Sequence, residues 1–385
     1  MEKLSFKLPC NNNFDELLIY FGFISVFLPY YITALFLIFA CAYLLIKKRN
    51  TEWFKADNIP WLFAFIIYTA VIGLINKNFC GFFCSFAIFL MCYYSVYVKN
   101  IITAKIFENC LSISALLGLI TSIIGIIDKI FFIIFKSGGQ HRVTLYFFNC
   151  NYLATILAIV VIICGYKIIL RKENIIFYLI TALFCVIAMY FTGSMFVWIE
   201  VFVGMVYLLK YTRKNQLLSI LLLALATVLI ILYCVPSIIP RSGDFFKTIE
   251  NRIEIWKISL EAIKSAPLFG RGFLSYMHIL PNFPGGYFTT HSHNIFIELF
   301  IDFGIAGTSI VLVYIIKLVK RLSVCKNSQS RLYFSSLIIS LLIGLVIHGT
   351  TDLTFLWLQT GLFYCLIICG LGPEEKLMNI RGFNK

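Results

Sequence analysis

Apolar runs long enough to cross a bilayer recur from one end of this chain to the other, and they constrain its fold more than any motif does. A hydrocarbon core about 30 Å thick takes about 20 apolar residues as a helix. Charged residues make up 13% of the 385 and hydrophobic ones 61%, whereas a soluble domain carries about 25% charge. A chain this poor in charge has too few polar groups to cover its surface in water. It is therefore predicted to be an all-α, polytopic membrane protein, one membrane domain over 1–385.

The first apolar run, 17–46, would be about 45 Å long as one helix. Pro29 at its middle predicts two spans joined by a tight turn at Pro29-Tyr30-Tyr31. Further spans are predicted near 59–75, 79–98, 110–127, 152–170, 175–191, 195–209, 216–235, 294–316, 332–348 and 353–371, twelve in all, or eleven, since several are barely long enough. Positive charge assigns the sides. Lys47-Lys48-Arg49, Lys167/Arg171/Lys172, Lys210/Arg213/Lys214 and Lys317/Lys320/Arg321 fall at alternate ends of the spans, while the short loops at 76–78, 192–194 and 349–352 hold one lysine in total. The basic loops and both termini are then cytoplasmic, in a cytoplasmic membrane. The net charge of +14 is explained by orientation and not by nucleic acid. Met1 to Glu16 is polar and the run after it is too long for a leader, so no cleavable signal is expected. The pairs Cys80/Cys84 and Cys365/Cys369 have helical spacing but no His or carboxylate beside them, and read as small membrane-core residues.

Two longer segments, 128–151 and 236–293, are predicted to face outward together. The second contains an amphipathic helix at 248–265, with Ile249, Ile253, Trp256, Leu260 and Ile263 on one face and Glu250, Glu254, Lys257, Glu261 and Lys264 on the other. It reads as an interfacial helix on the outer leaflet. Arg252 sits at the edge of its apolar stripe, aimed at lipid headgroups or at a pyrophosphate of the same depth. Pro267 ends the helix, and Gly270, Gly272, Pro281, Pro284, Gly285 and Gly286 leave the rest irregular.

Of five histidines, His141, His278, His291 and His293 fall in outward segments and His348 at the outer end of a span. His291-Ser292-His293-Asn294 directly precedes a span. Three readings stay open for it: a metal site lacking an evident third ligand, an imidazole capping a helix, or a general base, since a neutral imidazole takes a hydroxyl proton near pH 7. Glu298, Asp302 and Glu200 are carboxylates within spans, where ionisable groups are costly and usually paired. Glu298 would orient the His293 ring or pair with an arginine, or else stand as a neutral acid bonded to a neighbouring helix.

Taken together, several motifs resemble the O-antigen ligase and polymerase superfamily. They are Asn251-Arg252-Ile253-Glu254-Ile255-Trp256-Lys257, then Pro267-Leu268-Phe269-Gly270-Arg271-Gly272-Phe273, then His291-Ser292-His293-Asn294 through Glu298 to Gly304-Ile305-Ala306-Gly307. Upstream, Arg142 and Asn149-Cys150-Asn151-Tyr152-Leu153-Ala154 are similar to the family's Arg followed by Asn-Pro-Asn-x-Leu-Ala. Two departures stand out. Cys150 replaces the usual proline, and Ser194-Met195 stands where Ser-Arg is common, so that cation is absent or supplied by Arg241, Lys247 or Arg271.

The resemblance implies a fold related to the lipid-dependent glycosyltransferases and glycosyl transfer at the outer membrane face. The donor would be a glycan on a polyprenyl pyrophosphate, and the acceptor a glycan, lipid or protein hydroxyl. Polymerisation of surface polysaccharide repeat units is favoured over ligase-type transfer of finished glycan to lipid A core or protein. His293 would be the base, with His291 and Glu298 supporting it, and Arg142, Arg252, Asn151, Asn294 and Arg271 would bind substrate. No outward Asp-x-Asp pair is present to hold a metal, so no metal or other cofactor is expected. The bilayer is a partner, nucleic acid is not, and envelope polysaccharide assembly proteins are left open. The rival from another class, a secondary transporter of a polar solute, would show internal repeats, and none is found.

Overall fold

A computed structural model describes residues 13–47, 59–135, 141–171, 174–235, 243, 245–327 and 333–380. Among these the chain is helical, with no strand. Six helices are long and apolar enough to cross a membrane: α4 (Phe79–Ile101), α5 (Ala104–Phe135), α6 (Cys150–Tyr166, carried on to Leu170 by a π-helical turn), α7 (Ile175–Thr192), α9 (Asn215–Cys234) and α12 (Ile295–Asn327). Shorter apolar helices α2 (Tyr30–Ile46), α3 (Ile59–Ile75) and α13 (Phe334–His348) accompany them. The remainder are α1 (Asn13–Ser25), α8 (Val197–Tyr211), α10 (Phe245–Ser265), α11 (Ser275–Ile279), α14 (Leu358–Ile368) and α15 (Leu371–Ile380). The chain is a polytopic membrane protein. Of the basic residues used to assign sides, Lys48, Arg49 and Lys172 lie outside the described residues, as does Arg241.

The turn expected at Pro29 is present. Pro29 opens α2, and the Thr33 hydroxyl donates to the Ser25 carbonyl at 2.7 Å, tying the two helix ends together. Three expectations need correction. The span expected at 110–127 belongs to a 32-residue helix, about 48 Å long, because the apolar pattern runs through Asp128-Lys129 as far as Phe135. The run 353–371 is not one span: a 3-10 turn, Thr354–Leu356, precedes the 11-residue α14, and α15 follows. The face that α10 buries is rotated from the expected one. Ile255, Ile258 and Ala262 pack against Tyr276, Ile279 and Ile301, whereas Ile249, Ile253 and Leu260 stay exposed.

Helix α6 is buried along nearly its whole length among α5, α7, α8, α13 and α14, which is why its sequence is apolar on every side. Helix α9 is as apolar but has no buried residue and packs on α8.

One seam fixes the region that carries the candidate chemistry. Helix α12 breaks at Gly304, whose φ of 58° and ψ of −168° are not helical. Non-helical backbone at membrane depth needs other hydrogen-bond partners, and 267–272 provides them. Ile305 and Ala306 N–H donate to the Pro267 and Leu268 carbonyls at 2.9 Å, and Arg271 and Gly272 N–H donate to the Asp302 carbonyl at 2.9 and 2.7 Å. A Cβ on Gly304 would meet the Leu268 carbonyl carbon at 2.5 Å, and one on Gly270 would overlap the Asp302 carbonyl oxygen. Tyr68 of α3 clamps the seam, its hydroxyl donating to Phe269 and Phe303 carbonyls at 2.7 and 2.9 Å. The two glycine motifs are therefore halves of one backbone joint.

Candidate active site

A cavity of about 110 Å³ opens between the 193–196 turn, the first turns of α10 and the 348–352 turn. Arg142, Asn151, Met195, Arg252, His348 and Asp352 are among the residues that line it. Arg142 is held from two sides: its Nε donates to the Thr192 carbonyl at 2.8 Å and its Nη2 to Asn151 Oδ1 at 3.1 Å. Arg252 lies with its guanidinium carbon 5.3 Å from the centre of the Phe196 ring, a cation–π placement that holds the plane of the fork. Residues from opposite parts of the chain thus bring two guanidinium groups to one hollow. Met195, the departure noted in the sequence, lines the same hollow. Of the replacement cations considered, neither Lys247 nor Arg271 is among its lining residues.

Asp352 organises the site. Its Oδ1 bonds His291 Nε2 at 3.1 Å and His293 Nδ1 at 3.0 Å and accepts from the Leu353 N–H at 2.8 Å, while Oδ2 accepts from the Asn151 amide. Burial pushes this carboxyl upward, but hydrogen bonds from His291 and His293 and their charge outweigh it, so Asp352 is held well below the usual carboxylate range. His291 is buried, which pulls it toward neutrality. The hydrogen bond to Asp352 and the charge of that carboxylate raise it above the ordinary imidazole value nonetheless.

The two imidazoles are not equivalent. The Nδ1 of His291 is engaged by the Thr290 hydroxyl at 2.8 Å, and the residue is almost fully buried. His293 has 21% of its side chain exposed. With a proton on Nδ1 for Asp352, its Nε2 is an acceptor, and the Thr289 hydroxyl lies 3.1 Å from it. A hydroxyl thus already stands where an acceptor hydroxyl would bond. His293 also holds a backbone φ of 54°, a left-handed conformation unusual outside glycine.

Other expected site residues have different work. Glu298 accepts from the Ser292 N–H at 2.6 Å through Oε2, and it holds the backbone of the histidine turn rather than the His293 ring. Asn294 caps α12: its Oδ1 accepts from Phe296 and Ile297 N–H at 3.0 and 3.2 Å, and its amide donates to the Thr350 carbonyl at 3.1 Å. Arg271 bonds the Ala262 carbonyl and the Ser265 hydroxyl at 3.0 and 2.8 Å, closing the C-terminal turn of α10 where carbonyls lack helical partners. Asn294 and Arg271 thus both bond at helix ends, outside the lining of the cavity. Asp302 accepts from the Ser275 N–H at 2.9 Å and belongs to the glycine seam. His141 pairs with Asp128 at 2.7 Å near the end of α5, and His278 is exposed on α11.

Asp352 itself was missed in the sequence. Its signal was a lone carboxylate in a short loop otherwise free of charge, four residues after His348. It also supplies the third ligand type that the His-x-His pair lacked. His291, His293 and Asp352 offer ligand atoms within 4.8 Å of one another, a composition that suits a divalent cation. Both rings bonding one carboxylate oxygen is equally what a hydrogen-bonded cluster requires.

A second cluster lies deeper. Gly344 lets α13 approach α8 so closely that its Cβ would meet Glu200 Cγ at 2.9 Å. Glu200 then bonds His348 Nδ1 at 2.7 Å and accepts from the Tyr364 hydroxyl at 2.8 Å.

No curated protein matches the chain. Arg142, Asn151, His348 and Asp352 lie before or after the stretch that carries Arg252, His291 and His293, and the fold joins them to it. Over that stretch, residues 177–312, the chain matches the model of the O-antigen ligase family, which its motifs resemble, and the role that comes with the match is glycan transfer at a membrane.

Proposed function

We propose that the protein is a metal-independent glycosyltransferase that polymerises surface polysaccharide at the outer face of the cytoplasmic membrane, with both termini inside. The donor is an oligosaccharide on a polyprenyl pyrophosphate and the acceptor a hydroxyl of another lipid-linked glycan. The observation that carries the reading is the Asp352–His293 pair beside a cavity lined by Arg142 and Arg252. The acceptor hydroxyl gives its proton to His293 Nε2, and its oxygen attacks the anomeric carbon. The bond from that carbon to the phosphate oxygen breaks, and the pyrophosphate leaves on its lipid. Asp352 fixes the tautomer of His293 and stabilises the imidazolium that forms. Planar guanidinium groups bind the phosphates through paired hydrogen bonds and stabilise the charge that develops on them. A single displacement inverts the anomeric centre.

The matched family, that of the O-antigen ligases, favours a second reading: transfer of finished glycan to lipid A core or to protein. Glycan analysis of a deletion strain separates the two, since single repeat units indicate a polymerase and unattached long polymer a ligase. In that strain the wild-type gene is expected to restore surface glycan and the His293→Ala gene, at equal membrane abundance, to fail. Full restoration by His293→Ala overturns the mechanism. Transfer by purified protein is expected to survive EDTA; loss on chelation with recovery on adding a divalent cation would make His291, His293 and Asp352 a metal site.

A further inference from the structure

An aromatic stack follows, along the chain, two of the residues that line the cavity, Asn151 and Asp352. The Trp357 indole lies nearly parallel to Tyr152, with centroids 5.0 Å apart at 9°, and to Phe148, 5.2 Å apart at 19°, while Tyr30 meets it at 5.4 Å and 61°. Tyr152 directly follows Asn151, which bonds both Arg142 and Asp352, and Trp357 follows Asp352 by one short turn. The indole is immobilised. Its Nε1 donates to Gln359 Oε1 at 2.9 Å, and the Gln359 amide donates to the Val26 carbonyl at 3.2 Å and to the Leu28 carbonyl, so the plate is tied to the α1–α2 turn.

Phe148 is 74% exposed, as are other apolar side chains of this membrane protein such as Phe288 at 75%. The Phe148 φ of 65° belongs to the left-handed region, where glycine or asparagine is the unstrained choice. Backbone preference does not account for a phenylalanine here, and a backbone outlier of this kind, its ring stacked on Trp357 near a site, points to function. A rigid flat ring with open surface presents the electron-rich face of an aromatic quadrupole. The ring C–H bonds of a sugar carry partial positive charge and form a flat apolar face of similar size. A plate fixed before binding also loses little freedom when a sugar settles on it.

Resting on the glycan-transfer reading, we propose that Phe148, backed by Trp357 and the buried Tyr152, forms a carbohydrate subsite, where one sugar ring of the glycan stacks beside the residue that reacts. The other occupant of exposed aromatics in a membrane protein, the lipid interface, is an outcome of the test.

The test uses the full chain in lipid nanodiscs and, as probe, the polysaccharide released by mild acid from the cells that make it. Calorimetric titration measures binding and a thermal ramp measures unfolding. Phe148→Gly suits the left-handed backbone, so it is expected to unfold at the same or a higher temperature while binding falls about tenfold or more. Phe148→Leu keeps the apolar bulk without the flat face and is expected to lose binding to the same degree. Phe148→Tyr is expected to stay within about twofold. Unchanged binding in both the Gly and Leu variants overturns the proposal and assigns the ring to lipid, as does a wild-type protein that binds none of the polysaccharide. His293→Ala keeps the two readings apart. It is expected to bind the probe like the wild type and to transfer nothing; if it transfers normally, the catalytic reading falls while the measured stacking stands.

Discussion

Asp352 and Glu200 each hold histidine within this protein, and they differ in what they leave open. Glu200 is enclosed by α8, α13 and α14, bonded to His348 and Tyr364, with 2% and 0% of the His348 and Glu200 side chains exposed, although His348 also lines the cavity. Asp352 is equally buried but sits at a turn, and one of its two histidines reaches the surface. The first arrangement joins three helices. The second leaves one imidazole, that of His293, partly exposed to solvent. Burial of the carboxylate is common to both, so exposure of the imidazole is what differs between them.

The largest difference is expected in turnover. His293→Ala should lose about 10²–10⁴-fold at normal abundance, as loss of a general base does. His291→Ala should be milder, because its second nitrogen is occupied by Thr290. Turnover per folded molecule, measured on membranes with quantified protein, checks both, and equal losses would erase the distinction between the rings.

The guanidinium groups come next. Arg142→Lys and Arg252→Lys keep the charge but lose the planar fork. A hydrogen bond to a charged group contributes about 1.5–3 kcal/mol, so each variant should weaken donor use by about 10- to 100-fold. Full activity in both, at normal expression, would make them surface anchors.

The enclosed cluster is expected to answer in stability instead. Removing one partner of a buried ion pair costs about 3–5 kcal/mol, so Glu200→Ala should unfold at a clearly lower temperature in detergent. An unfolding temperature equal to the wild type's would show that α8, α13 and α14 do not depend on this joint.

The smallest effect is the pH dependence of stability at the open cluster. His291 is raised in the folded state, so its contribution is fully present below about pH 6.5 and fades as pH rises through its raised value. Asp352 is depressed, so its contribution is present above about pH 3.9 and fades as pH falls through its lowered value. Both act together between about pH 4 and 6.5. Thermal unfolding should be latest in that window and earlier on its alkaline side, and Asp352→Asn should flatten the profile. A wild-type profile with its maximum well above that window would contradict the assignment.

The same contrast explains what the sequence disclosed. Helices that bury one face, the turn at Pro29 and the helix across 248–265 follow from local spacing and were legible. So was the grouping of Arg142, Arg252 and the histidine turn, since motifs carried each. Pairings across the chain were not. Glu200 and His348 are 148 residues apart, His291 and Asp352 61 apart, and nothing in one sequence marks them as neighbours. The helix-end bonds of Asn294 and Arg271 have local signals. An asparagine just before a helix is an ordinary N-cap, and an arginine just past a helix end commonly bonds its last carbonyls. The length of α5 was hidden by equating a helix with a membrane crossing; a helix can outrun the bilayer wherever its pattern continues.

The most direct test of Asp352 as the group that orients His293 is a double-mutant cycle on transfer rate. His293→Ala and Asp352→Asn are each expected to lose about 10²–10⁴-fold. Because residues acting as one unit are not additive, the double variant should be no slower than His293→Ala alone. If the two losses multiply in the double variant, Asp352 does not act through His293, and the base of this reaction has been assigned to the wrong pair.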